Sequence, residues 1–374
     1  VPSGSSDSTI NQTAANPASR DLLARVTQSD SSSIVNQMAT GQTATQLNAF
    51  IDQQSGSTST VNQTASGAQS GHLDARVTQR NGATATINQT AAGQASNNQD
   101  AIVNQNGAST VNISQRFDND GSNTFSATVR QTGSGNLANV TQRDEGFGIV
   151  GNADANLTAD VNQNGTGNTT DLVQENKSAF ADIDQTGDGN TVDAFQGTAG
   201  QNLVVLQTGD GNTSNSSQTG LNNSADVFQA GNGATSTINQ TGRNDLAFVD
   251  QLVGSDGSRS LITQTGAGGP RSENRAEVIQ SGLSNMSEIT QDGFNSTAEL
   301  NQSGAGNESN ITQTGTVDGF GNLADVTQSG SNNESNITQN GSLNSATVTQ
   351  SSNNNLSNIT QTGNGGSVTV TQGF

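Results

Sequence analysis

Apolar residues recur along this chain in short alternating runs that close on a glutamine. In "QTGSGNLANVTQ", residues 131–142, Asn136, Ala138, Val140 and Gln142 alternate with polar neighbours. On a β-strand these four share one face, so burying Val140 buries Gln142 beside it. "NESNITQ", residues 333–339, repeats the pattern with Asn333, Ile337 and Gln339. The apolar-x-Gln frame recurs at 30 glutamines, and 16 of the 29 intervals between them are 11 residues long. Among them are Gln12, Gln28, Gln131, Gln142, Gln207, Gln313, Gln328, Gln339, Gln350, Gln361 and Gln372. Each arc predicts a strand of about seven residues.

Two arcs make the repeating unit. Four places before the glutamine, even-numbered arcs carry alanine 13 times out of 15, as at Ala24, Ala49, Ala75 and Ala346. Odd-numbered arcs carry serine there ten times, as at Ser8, Ser33, Ser214 and Ser357. All eight intervals of 15 or more residues run from a Ser-type to an Ala-type arc, which predicts long loops confined to one edge. Glycine pairs punctuate the connections, including Gly133 and Gly135, Gly209 and Gly211, and Gly304 and Gly306. They are expected to supply positive φ where the chain reverses. The fold expected is all-β: a two-sheet parallel β-solenoid of about 15 rungs over residues 1–374 as a single domain, with 1–7 a short N-terminal segment.

The buried glutamine then acquires a physical reason. An isolated buried amide is unfavourable by about 1–3 kcal/mol. In a solenoid the same side chain recurs about 4.8 Å above and below, so each amide donates to one copy and accepts from the other. A one-residue slip would break the ladder, and the ladder thereby fixes register. Fifteen such rungs span roughly 70 Å. Gln12 and Gln372 lie near the two ends, so the terminal rungs are expected to be uncapped and prone to head-to-tail stacking, which does not close.

Composition narrows the function classes. Only 28% of residues are hydrophobic and the net charge is −20, which alone would suit a disordered polar chain; the periodicity overrides that reading. With 12 basic and 32 acidic residues, no nucleic-acid partner is expected. No apolar run approaches the about 20 residues of a membrane helix. The absence of cysteine excludes disulfides and fits a chain exported unfolded.

The repeats resemble the curlin repeat of bacterial curli amyloid subunits, Gln-x-Gly-x-Gly-Asn-x-Ala-x3-Gln. Gln131, Gly133, Gly135, Asn136, Ala138 and Gln142 meet it in full, and Gln302, Gly304, Gly306, Asn307 and Gln313 meet it with Ser309 in the alanine place. The family's serine six places before glutamine is mostly asparagine here, and about 15 repeats make an unusually long member. The resemblance implies a secreted structural subunit that self-assembles into extracellular fibres for biofilm matrix and adhesion. It also implies a nucleator subunit and an outer-membrane secretion pore as partners.

No enzyme activity and no cofactor are expected. The single histidine, His72, sits in a connector without a partner at fixed spacing, and "TGDGN" at 186–190 and 208–212 reads as turn chemistry. A weak metal candidate is the outward column Glu277, Glu299 and Asp325, three places before glutamine, with Asp160 and Asp182 equivalent elsewhere. Stacked like charges predict raised carboxylate pKa values there. An ice-binding or surface-adhesion solenoid is the alternative, on the Thr-x-Thr pairs Thr263/Thr265, Thr312/Thr314 and Thr360/Thr362.

Overall fold

A computed structural model of the chain describes residues 5–15, 20–41, 45–67, 71–93, 97–118, 123–144, 156–175, 177–266, 273–315 and 320–373. Thirty strands run through them, numbered in chain order from β1 (Asp7–Ala14) to β30 (Ser367–Gln372), with no helix among the described residues. The odd-numbered strands form one parallel 15-stranded sheet and the even-numbered strands another. This is a two-sheet β-solenoid: every Ser-type arc falls in the odd sheet and every Ala-type arc in the even one. Register follows the glutamine frame, with Gln105 beside Gln131, Gln131 beside Gln163 and Gln302 beside Gln328. The long connections all run from the odd to the even sheet, and their central residues lie outside the described ones.

The chain divides into two compact units, Val1–Gln185 with Gln196–Ala199, and Thr186–Phe195 with Gly200–Phe374. In the first, Val35, Ile51, Val61 and Val77 fill the space between the sheets. Strands here exceed the expected length: β4 (Thr45–Gln54), β8 (Asn97–Asn106) and β10 (Asn123–Thr132) have ten residues each. The cause is an extra apolar layer. Leu47 and Leu73, six places before their glutamines, pack with Ala39, Ala65 and Ala91, two places after theirs. Phe117 and Phe125 continue it edge-to-face at 6.2 Å, with Leu157 and Ala179. Part of what the sequence shows as a long connector is therefore strand.

The second unit has strands of six or seven residues, such as β24 (Thr297–Gln302), β26 (Leu323–Gln328) and β27 (Glu334–Asn340). Val227, Ile238, Val249, Ile262 and Val278 form its apolar column. Where the first unit places leucine, this one places asparagine, as at Asn223, Asn274, Asn322 and Asn344, all buried. These amides bond to turn groups of the next rung, and they do so in the 16- and 15-residue intervals before Gln280 and Gln328 as well as in 11-residue ones.

Candidate functional site

The buried glutamines form directional ladders in each unit. In the first, Gln105 Nε2 donates to Gln131 Oε1 at 2.7 Å and Gln131 to Gln163 at 2.6 Å; in the facing sheet Gln115 donates to Gln142 and Gln142 to Gln174, both at 2.9 Å. In the second, Gln207 donates to Gln229, Gln313 to Gln339, Gln339 to Gln361, Gln328 to Gln350 and Gln350 to Gln372, at 2.7–2.9 Å. These donors point toward the rung of higher number. Beside the ladders, Val140 and Ile337 are buried.

In many rungs the amide nitrogen also donates across to the opposite sheet. Gln131 Nε2 donates to the Thr110 carbonyl at 3.2 Å, Gln142 to Ser126 at 3.0 Å and Gln339 to Leu323 at 2.9 Å. One side chain thus fixes rung-to-rung register and ties the two sheets together. The repeat pattern alone points only to the first role. Gln28 departs from the pattern, because its Nε2 donates to Ser33 Oγ and the Asp7 carbonyl, both at 3.0 Å.

Asparagines in the inward column behave differently from the expected amide-to-amide ladder. Asn136 Oδ1 accepts from the Asn168 backbone N–H at 2.9 Å while its Nδ2 donates to the Gly165 carbonyl at 2.9 Å. Asn307 holds Asn333 N–H and the Gly330 carbonyl in the same way. Asn333 in turn accepts from the Asn355 backbone N–H at 2.9 Å and from Asn355 Nδ2 at 3.0 Å, so here the expected amide-to-amide bond also forms. Each one staples the turn of the following rung. Amide-to-amide ladders of asparagine do occur, but on the outer face: Asn36 to Asn62 to Asn88, and Asn310 to Asn336 to Asn358.

The turn glycines serve two purposes, and one corrects the expectation. Gly133, Gly135, Gly211 and Gly306 adopt positive φ. Gly209 and Gly304 do not; they are required by proximity, since a Cβ on Gly304 would lie 1.7 Å from the Gly330 carbonyl oxygen and one on Gly209 2.0 Å from that of Gly231. The rungs are too close there for any side chain.

The sheets end on strands that pair with nothing further among the described residues. All of β1 is exposed, and β30 alternates between exposed and half-buried. Gln12 donates to Gln37 at 2.7 Å, and no glutamine among the described residues donates to Gln12. At the other end Gln361 and Gln372 donate across to the Ser345 and Leu356 carbonyls and to no further glutamine. Among the described residues, Gln12 Oε1 thus receives no glutamine donor, and the Gln361 and Gln372 amide N–H groups reach no glutamine acceptor.

The carboxylate column is organised by a basic residue outside it. Glu277, Glu299 and Asp325 do stand side by side on successive strands. Arg275, however, bridges two of them, bonding Glu299 Oε1 at 2.6 Å and Glu277 Oε2. Arg275 thus offsets part of the repulsion between Glu277 and Glu299. Asp325 lies beyond the bridge, and burial together with Glu299 raises its pKa. Asp182 is raised by burial, then by Asp184 and Asp160. Among the described residues no three acidic or histidine side chains converge as a metal site. His72 Nε2 contacts Asn48 Nδ2 at 3.3 Å. In "TGDGN", Asp210 Oδ1 accepts from the Asp188 backbone N–H at 2.8 Å, a turn-to-turn bond. Thr263, Thr290, Thr312, Thr338 and Thr360 form one unbroken outer column, but Asp292 and Asn340 interrupt the neighbouring column of Thr265, Thr314 and Thr362. The paired threonine array therefore does not form.

Comparison with known families finds the curlin associated repeat at residues 318–341, which include β26 and β27. The matched stretch thus carries a curlin-related repeat. No curated protein matches the chain.

Proposed function

We propose that the chain is a non-enzymatic structural subunit that stacks head-to-tail into extracellular, curli-type amyloid fibres serving as biofilm matrix and adhesive surface. The observation that carries this reading is the directional glutamine ladder, in which the donors point toward the rung of higher number and so specify how one copy would continue another. The last rung presents the Gln361 and Gln372 amide N–H groups, and the first presents Gln12 Oε1 together with wholly exposed β1. Placing the last rung of one copy under the first rung of another continues the glutamine frame, with Ile359 over Ile10 and Val370 over Val26. Backbone groups left open on the terminal strands are paired by the same step. The curlin associated repeat at 318–341 supports secretion to the cell surface, with a nucleating subunit and an export pore as partners.

Purified chain incubated at neutral pH should give unbranched fibres by negative-stain imaging, a reflection near 4.8 Å and seeding of fresh chain. Val370→Pro, which disrupts only the exposed last strand, should stop elongation. Absence of both fibres and the reflection would overturn the proposal.

A further inference from the structure

Beyond end-to-end stacking, the outer face of the even-numbered sheet carries two patches of matching shape and opposite charge. In the first unit, β2 (Arg20–Ser29), β4 and β6 (Leu73–Arg80) place Arg25, Phe50 and Arg76 side by side in one column. In the second unit, β18 (Ser224–Gln229), β20 (Leu246–Gln251) and β22 (Arg275–Gln280) place Asp226, Phe248 and Glu277 side by side in the equivalent column. Both columns occupy the position three places before the glutamine. A phenylalanine is flanked by two cations in one and by two anions in the other, at the same rung spacing.

The demand left open is that of Arg25 in the first patch and Asp226 in the second; Glu277 is already bonded to Arg275, which also covers Phe248 at 5.7 Å. Arg25 makes no ion pair among the described residues, and Arg76 stands 3.6 Å from Asp74 while covering Phe50 at 5.7 Å. A shallow groove of about 270 Å³ opens around Phe50, lined by Arg25, Asp52 and Arg76. Opposite in sign, Asp226 Oδ1 is buried without a hydrogen-bond partner, and its pKa is raised by burial and by Asp250. Phe228 and Ile279 widen the apolar part of that patch at outward, half-buried positions.

We infer that the Arg25–Phe50–Arg76 patch of one copy docks laterally on the Asp226–Phe248–Glu277 patch of a second copy. Set face to face with strands antiparallel, the columns align as Arg25 on Asp226, Phe50 on Phe248 and Arg76 on Glu277. This orientation keeps Asp52 and Asp250, each two residues after its phenylalanine, on opposite sides of the ring pair. It also lays Leu23, 49% exposed, over Phe228. Turning one sheet over so that strands are antiparallel leaves both stacking directions the same. The two copies therefore run in parallel, offset so that β4 of one meets β20 of the other. Each copy carries both patches, so the contact is heterologous and propagates sideways instead of closing a dimer. A partner of another kind would meet one patch or the other; only this chain supplies both.

The test uses the absence of cysteine in the chain. In the aligned arrangement Thr27 of one copy faces Ser224 of the other, about 10 Å apart as for packed sheets. Full-length T27C and S224C proteins are mixed and treated with a short bis-maleimide. The mixed pair should cross-link at least tenfold faster than either protein alone. Arg25→Glu with Arg76→Glu in both proteins should abolish this excess, as should Asp226→Arg with Glu277→Arg; all four reversals together should restore it to within threefold. All substitutions lie on the outer face, and end-stacking through β1 and β30 does not bring the two cysteines together, so loss of fibres and loss of the lateral contact are read separately. Equal mixed and self cross-linking, or failure of the fourfold reversal to restore it in folded protein, overturns the inference.

Discussion

Gln302 and Gln328 are joined amide to amide at 2.8 Å, while the Gln302 nitrogen also donates to the Met286 carbonyl of the facing sheet at 3.0 Å and its oxygen accepts from Gln280 at 2.9 Å. The two glutamine–glutamine bonds are buried and the bond to the Met286 carbonyl is part-buried. Replacing Gln302 by leucine strands the Gln280 donor, the Gln328 acceptor and the Met286 carbonyl together. At about 1–3 kcal/mol for each unsatisfied buried group, partly relieved by relaxation, Q302L should lower unfolding free energy by about 2–4 kcal/mol. Urea unfolding measures this; a loss below about 1 kcal/mol would show the ladder to be dispensable.

Asn307 tests the staple separately from the ladder. Its Oδ1 holds Asn333 N–H at 3.0 Å and its Nδ2 holds the Gly330 carbonyl at 2.9 Å. Asn307→Ala removes both bonds and should destabilise by about 1–3 kcal/mol, with the loss of hydrogen-exchange protection centred on the Asn333 amide of the next rung. Unchanged exchange at Asn333 would contradict the staple.

The sheets, the register and the buried glutamines are legible in the period-two alternation and the 11-residue frame, because a solenoid stacks like on like and so writes its contacts into the repeat. What crosses from sheet to sheet is not legible there: the second bond of Gln131 goes to a main-chain carbonyl, and carbonyls have no residue signature. Leu47 and Leu73, with Ala39 and Ala65, do carry a readable signal for the extra apolar layer, but it lies outside the glutamine frame. Arg275 is readable as a charge two places from Glu277, yet only register shows that it also reaches Glu299.

Ser335 sits in the inward serine column with its hydroxyl buried and unbonded, as do Ser309 and Ser357. Alanine, which the facing sheet uses at the same place, removes that polar group without leaving a partner behind. Ser335→Ala should therefore be neutral or stabilising by up to about 1 kcal/mol. A thermal melt that falls by several degrees would reveal an acceptor for the hydroxyl.

Leu343 occupies a turn position at φ +60 where equivalent turns have glycine or asparagine, as at Gly211 with φ +67 and Asn332 with φ +56. A γ-branched side chain there costs about 1–2 kcal/mol relative to glycine. Leu343→Gly should stabilise the fold by about 1 kcal/mol, net of the added unfolded-state entropy. Gly304→Ala should act in the opposite direction and more strongly, because its Cβ would meet the Gly330 oxygen at 1.7 Å. Equal melting temperatures for L343G, G304A and the parent would refute both assignments.

Acid should stabilise the outer face of the even sheet rather than unfold it. Burial raises Asp226, Asp250 and Asp325 above the ordinary 3.8, reinforced by Asp250, Glu277 and Glu299 respectively. A carboxyl whose folded pKa exceeds its unfolded value binds more protons in the native state between those two values. Stability therefore rises as pH falls through the raised folded pKa and levels off below about 3.8, the reverse of a salt-bridged carboxylate. Asp226 and Asp325 contribute to this slope without an ion-pair partner among the described residues. The urea midpoint should increase between pH 7 and pH 4, and Asp226→Asn with Asp325→Asn should flatten that increase while raising the midpoint at pH 7. A midpoint that declines steadily with acid in the parent, and equally in the double variant, would show that these carboxylates are held in their charged form instead.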